Sequence, residues 1–158
     1  MTHEPVVREG TAADLDEMLS LWRALEQIQG EHRLFPMVDD PESRIAGLFR
    51  EAIAEPDSAA LVIEGQDGLL GMAIVRLAEQ GHHSMSNARV VEVSRVVVKE
   101  KARGRGLGRS LMDAAAVFAK ARGATYLTAK LFTGNTEGRA FWERMGFVPR
   151  YEERIKPV

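Results

Sequence analysis

The chain has 158 residues, 45% of them hydrophobic, and a formal net charge of −2 at pH 7. This length allows a substantial core and predicts a single domain over residues 1–158. The nearly neutral charge predicts no general attraction to nucleic acid or to an anionic membrane. Because the chain contains no cysteine, disulfides and thiolate zinc sites are excluded, and we expect no metal.

The N-terminal residues predict no secretion signal. The segment from Met1 to Pro5 has no basic region, and no apolar stretch follows it. Nowhere do about 18 apolar residues run together, so no membrane-spanning helix is predicted. We therefore expect a cytoplasmic location.

Hydrophobic periodicity predicts ten elements in the order β-α-α-β-β-β-α-β-α-β. They are a strand at 5–9, a helix at 11–30, a helix at 40–55, strands at 59–64, 69–77 and 89–98, a helix at 107–122, a strand at 125–132, a helix at 135–145 and a strand at 147–155. The polar segment 79–88, with His82 and His83, predicts a solvated loop. This order indicates a mixed α/β fold, with antiparallel hairpins first and a βαβ crossover late.

A glycine- and arginine-rich turn lies between the apolar run Val96-Val97-Val98 and the third predicted helix. Its three glycines and three arginines are Arg103, Gly104, Arg105, Gly106, Gly108 and Arg109. The glycines let a ligand approach the backbone, while the guanidinium groups and the helix N-terminus add positive charge. The turn therefore predicts a pyrophosphate site, the alternative being an arginine-rich surface turn before a helix.

Two familiar phosphate motifs do not fit this turn. No Walker lysine followed by Ser or Thr comes after the glycines. The dinucleotide pattern G-x-G-x-x-G fails because position 109 is arginine. The turn also follows antiparallel strands rather than opening a first βαβ unit, which disfavours a dinucleotide-binding oxidoreductase.

Two motifs resemble those of the GNAT superfamily of acetyl-CoA-dependent N-acetyltransferases. The pattern Arg103-x-x-Gly106-x-Gly108 matches the family signature Q/R-x-x-G-x-G/A. Asn135, followed by Phe-Trp-Glu-Arg-Met-Gly-Phe at 141–147, resembles the family's closing motif, in which Asn precedes a helix ending in F/L-Y-E-x-x-G-F. The resemblance implies a central mixed β-sheet, mostly antiparallel, flanked by about four helices.

The resemblance also implies a cofactor site around the turn. The amides of residues 103–109, including Leu107, would hold the pyrophosphate of acetyl-CoA. The backbone of Val96 and Val98, on either side of Val97, would pair with the pantetheine arm and hold the acetyl carbonyl. Asn135 would contact the same arm, and its alternative role is a plain helix cap.

One residue departs from the family pattern. Trp142 stands where many family members have a tyrosine that acts as general acid. An indole N–H donates a hydrogen bond but cannot act as an acid at physiological pH, so the acid role is not transferred. We expect Trp142 to pack beside the pantetheine arm.

Glu92 is the candidate general base. It lies in the apolar run 90–93, where a carboxylate is unfavourable without a task or a partner. It also stands 11 positions before Arg103, which resembles the offset of the catalytic glutamate in some histone-type family members. The alternative is a carboxylate on the exposed face of an alternating strand.

The expected reaction is direct transfer of an acetyl group from acetyl-CoA to a primary amine, with Glu92 accepting the proton through water. A catalytically weak acyl-CoA-binding sensor or partner module is the alternative function. The acceptor is a small-molecule or protein amine, and the family's frequent dimerisation leaves a homodimer open. His32 and Phe35 lie in a segment that often borders the acceptor in this family.

Overall fold

The computed structural model describes residues 3–158, except for the side chain of His82. Within that part of the chain the helices and strands are β1 Val6–Glu9, α1 Leu15–Gln29, α2 Pro41–Ala54, β2 Ser58–Gly65, β3 Gly68–His82, β4 Met85–Val98, α3 Leu107–Ala121, β5 Tyr126–Ala129 and α4 Thr136–Arg144. Short 3₁₀ turns precede α1, follow it and precede α3, at Ala12–Asp14, Gly30–His32 and Glu100–Ala102. None of the helices described has the length and apolar character that a membrane span requires.

The five strands form one sheet in the order β1-β2-β3-β4-β5. The first three pairings are antiparallel, whereas β4 and β5 are parallel and are joined by α3 as a crossover. Buried residues of α1 and α2 pack on one face of the sheet, and those of α3 pack on the other. This mixed, mostly antiparallel sheet with four helices confirms the predicted fold class.

Local capping chemistry begins the 3₁₀ turn that leads into α1 and begins α2 itself. The backbone N–H of Thr11 donates to Asp14 Oδ2 at 2.7 Å, and the N–H of Ser43 donates to Asp40 Oδ1 at 3.1 Å. Arg8 of β1 also donates to both oxygens of Asp14, at 2.8 and 2.9 Å. These hydrogen bonds from Arg8 lower the pKa of buried Asp14 from 3.8 to about 2, so the pair links β1 to the entrance of α1.

The segment 79–88 is a hairpin extension rather than the predicted loop. Glu79 lies opposite Arg89 and Gln80 lies opposite Ala88, so β3 and β4 continue to a tight turn at 83–84. Polar residues persist here because both faces of this antiparallel ribbon are open to water. The expectation of a solvated His82–His83 pair falls partly on the His82 side chain, which lies outside the described structure.

The predicted last strand, 147–155, does not form in the structure. This segment has no regular secondary structure, and residues 148–158 are exposed. Pro149 lacks a backbone donor, and charged residues dominate the stretch after it. The strand prediction is wrong here because alternating polarity alone does not supply a sheet partner.

Candidate functional site

The C-terminal part of β4 has a free backbone edge. Strand β5 pairs with β4 only from Val90 to Val93, so residues 94–98 of β4 have β3 on one side and no strand of the described chain on the other. The side chain of Val97 is buried towards α1 and α2, while those of Val96 and Val98 pack towards α3. The backbone edge of this stretch is therefore available to an extended ligand, as an added strand would use it.

The glycine turn forms a cradle of backbone amides next to this open edge. Gly104 has φ +77° and Gly106, the residue before α3, has φ +74°, conformations that L side chains rarely adopt. No side chain caps α3, and its first turn has no acidic residue. The N–H of Ser110 bonds to the carbonyl of Gly106 at 3.1 Å, so the amides before it lack helical acceptors. Together they make an electropositive site suited to an anion.

The three arginines of the turn differ in whether their guanidinium groups are free to bind a ligand. Arg103 donates from Nε to the carbonyl of Val98 at 3.0 Å and so fastens the turn to the end of β4. Arg105 and Arg109 are exposed, and neither guanidinium has a hydrogen bond or ion pair with the described residues. The turn therefore offers two free cations beside its amide cradle.

Gly108 has a structural role that the sequence pattern did not reveal. A Cβ atom at this position would lie 2.7 Å from Cε2 of Phe141, a distance that side-chain carbons do not tolerate. By contrast, a Cβ at Gly104 or Gly106 would meet nothing within 4 Å. Gly108 therefore allows α3 to pack on the aromatic ring of α4, while the other two glycines shape the backbone of the turn.

Asn135 and Trp142 both take part in building α4. Asn135 Oδ1 accepts a hydrogen bond from the N–H of Gly138 at 2.9 Å, which is the helix cap that the sequence allowed. The ring of Trp142 lies 5.0 Å from that of Phe141 and 4.7 Å from that of Phe147, both in edge-to-face geometry. Trp142 thus belongs to the aromatic layer that holds α4 against α3.

Glu92 lies on the face of β4 opposite α3, and its side chain is exposed rather than part of the core. It is exposed and lies directly opposite Arg76 of β3. Arg76 instead approaches Glu51 of α2, with Nη2 and Oε2 3.7 Å apart. Glu92 has no hydrogen bond or ion pair with the described residues, so burial gives no argument for its role, and its carboxylate is free to meet a ligand.

A contact between distant segments closes the side of the site near α1. The ring of His32 stacks on Phe132 with centroids 6.0 Å apart, and His32 Nδ1 lies 3.1 Å from where a Cβ of Gly134 would stand. The segment after α1 is thereby held beside Asn135. Phe35 in the same segment is 74% exposed, so its ring faces solvent rather than the core.

Comparison with known proteins now identifies the family. The family model described as Acetyltransferase (GNAT) family matches residues 18–147, which is most of the chain. The chain belongs to the GNAT family. Membership supports acyltransferase activity and the use of acetyl-CoA by this GNAT chain, while a search of curated proteins finds no match.

Solved structures show the same fold. A tetramutant of a Bacillus halodurans protein has a TM-score of 0.79 at 21% identity, covering 97% of this chain and 99% of its own. A predicted acetyltransferase with acetyl-CoA from Clostridium acetobutylicum has a TM-score of 0.78 at 15% identity, covering 98% of this chain and 96% of its own. Glucosamine-6-phosphate N-acetyltransferase from Arabidopsis thaliana has a TM-score of 0.69 at 16% identity, covering 98% of this chain and 99% of its own.

Proposed function

We propose that this GNAT protein transfers an acetyl group from acetyl-CoA to a primary amine, with both substrates bound at once. One observation carries the proposal: the N-terminus of α3, which follows Gly104 and Gly106 and has no side-chain cap, lies next to the unpaired edge of β4. Such an arrangement offers amides to a pyrophosphate and a strand edge to the arm attached to it. When bound, acetyl-CoA supplies the activated acetyl group.

On this proposal, the cofactor contacts come from two stretches of backbone and three side chains. The amides expected at the pyrophosphate are those of residues 103–109, but the N–H of Arg103 donates to the carbonyl of Glu100 at 3.2 Å. Residues 104–109 therefore donate N–H groups to the pyrophosphate, and Arg105 and Arg109 add charge-assisted hydrogen bonds. Val96 and Val98 present N–H and carbonyl groups to the pantetheine arm and the acetyl carbonyl. Asn135 keeps its role as the α4 cap, with its Nδ2 group available to the same arm.

Glu92 is the proposed general base. An alkyl ammonium must lose a proton before it can attack an acyl group, and a carboxylate reaches that proton directly or through water. Its exposure on the face of β4 turned towards α1 and α2 favours a water-mediated path. No described tyrosine supports an acid role here: Tyr126 lies at the far end of β5 and Tyr151 in the exposed C-terminal segment.

The experiment combines binding and turnover on the same preparation. Calorimetry with acetyl-CoA measures cofactor binding, and release of CoA thiol in the presence of a panel of amines measures transfer. Binding together with amine-dependent thiol release is the expected result. Tight binding without release on any amine would favour the acyl-CoA sensor, and absence of acetyl-CoA binding would overturn the proposal.

A further inference from the structure

Arg95 lies at a β-bulge between the candidate base and the glycine turn. Ser94 of β4 pairs with Ile74 of β3, and Val97 pairs with Met72. Two residues of β4, Arg95 and Val96, therefore lie opposite one residue of β3, Ala73. Arg95 has φ +49°, in the left-handed region that a long side chain rarely adopts. Bulges of this kind re-aim a side chain, and they concentrate next to functional sites.

The bulge directs the guanidinium to the face of the sheet that carries Glu92. Its charged neighbours are Glu26 of α1 and Arg76 of β3, and Arg76 lies opposite Glu92. Arg95 is partly buried, and this burial lowers the pKa of its guanidinium. A partly buried positive charge therefore lies on the same face of the sheet as the candidate base.

No described residue satisfies this guanidinium. Neither the hydrogen bonds nor the ion pairs of residues 3–158 include Arg95. The carboxylate of Glu26 is bonded instead to Arg33, and that of Glu51 lies nearest to Arg76. A partly buried guanidinium with no protein acceptor keeps its five donors available to an anion.

We propose that Arg95 binds an anionic group of the acceptor, a carboxylate or a phosphate, and so makes this protein selective for amines that carry one. The inference rests on the proposed acetyl transfer and names the class of acceptor. Glu92 and Arg95 are three residues apart, roughly 10 Å along a strand. Long side chains from these two positions can hold the amine and the anionic group of one small molecule at opposite ends.

Matched pairs of acceptors test the proposal. Amino acids are compared with their amides, and aminoalkyl phosphates with the corresponding amino alcohols, in the thiol-release assay. The wild type is expected to prefer the anionic member of a pair by about tenfold or more in kcat/KM, the value of a charge-assisted hydrogen bond. Equal use of both members would overturn the inference while leaving acetyl transfer intact.

Variants assign the preference to one residue. R95Q should raise KM for the anionic acceptor by about tenfold and leave its kcat nearly unchanged. The kinetic constants for the neutral acceptor should also stay nearly unchanged, so R95Q should lose the preference for the anionic acceptor. R95K keeps the positive charge and should keep part of the preference for the anionic acceptor. The matched control is R89Q, which removes the same charge from an exposed position on the same strand. An equal loss in R89Q and R95Q would contradict a specific role for Arg95.

A binding measurement keeps the test independent of turnover. Inorganic phosphate is titrated into protein saturated with CoA, so that the glycine turn is already occupied. Phosphate binding that persists in R89Q and disappears in R95Q supports the inference, and unchanged binding in R95Q overturns it. Failure to bind acetyl-CoA would instead refute the proposed function, and the two failures are thus distinguishable.

Discussion

Glu92 is the residue on which the proposed chemistry depends. E92Q keeps the shape of the side chain but cannot accept a proton, so we expect turnover to fall by about 100-fold or more. The affinity for acetyl-CoA should not change, because Glu92 lies away from the glycine turn. The pH dependence of kcat/KM should also lose its acidic limb.

The matched control for this prediction is E79Q, an exposed glutamate on the neighbouring strand β3. Its turnover should equal that of the wild type. If E92Q retains the wild-type pH profile, the base is another group. A parallel loss in E79Q would indicate a general charge effect on acceptor binding.

Asp14 is the residue whose charge most clearly supports the fold. Its pKa is about 2 in the folded chain and 3.8 ordinarily, because Arg8 donates to both of its oxygens. A lowered folded-state pKa stabilises the protein above about pH 4, and the effect is lost as the pH falls towards 2. We expect D14N to lower the free energy of unfolding by about 2 kcal/mol at pH 7.

Chemical denaturation at pH 7 and at pH 2.5 measures this contribution. The difference between the wild type and D14N should shrink at the lower pH. D113N, at an exposed position of α3, should behave like the wild type at both values. A difference for D14N that is the same at both pH values would refute the ion-pair explanation.

At the scale of elements, the contact between α3 and α4 depends on Gly108. G108A places a methyl group 2.7 Å from the Phe141 ring, and we expect a loss of about 1–3 kcal/mol from overpacking. G47A makes the same change within α2, where nothing lies within 4 Å, and should stabilise the protein by about 0.5–1 kcal/mol. Thermal unfolding measures both.

The double variant G108A/F141L tests the cause of the loss. A smaller side chain at 141 leaves room for the added methyl group, so the double variant should lose less than the sum of the single variants. Strict additivity would show that the methyl group does not act through Phe141.

Local signals predicted the helices well. Asp40 and Asn135 cap α2 and α4 as predicted, while Thr11 with Asp14 caps the 3₁₀ turn that leads into α1. Gly123 and Gly146 have positive φ at the helix ends. These signals depend on neighbours in the chain. The strand predicted at 147–155 lacks a partner strand, which would have to come from a distant part of the sequence. The hairpin at 79–88 pairs residues only three to ten positions apart, but its polar residues resemble those of a loop, so polarity alone predicted both segments incorrectly.

At the scale of the whole molecule, the proposed cofactor side of the site is visible in the sequence and the proposed acceptor side is not. The turn at 103–109 is contiguous, so its glycines and arginines are visible in the sequence. The proposed acceptor side combines residues from the end of α1, from strand β3 and from a bulge of β4. Nothing in the local sequence around Arg95 predicts a bulge, a positive φ or an unpaired guanidinium there.

The central claim is that the N-terminus of α3 holds the pyrophosphate of acetyl-CoA, and calorimetric titration of G106D and G106N tests it most directly. Both variants impose a similar side chain at φ +74°, but only aspartate adds a negative charge to the amide cradle. We predict that G106D binds acetyl-CoA about tenfold or more weakly than G106N. Wild-type affinity in both variants would contradict the account.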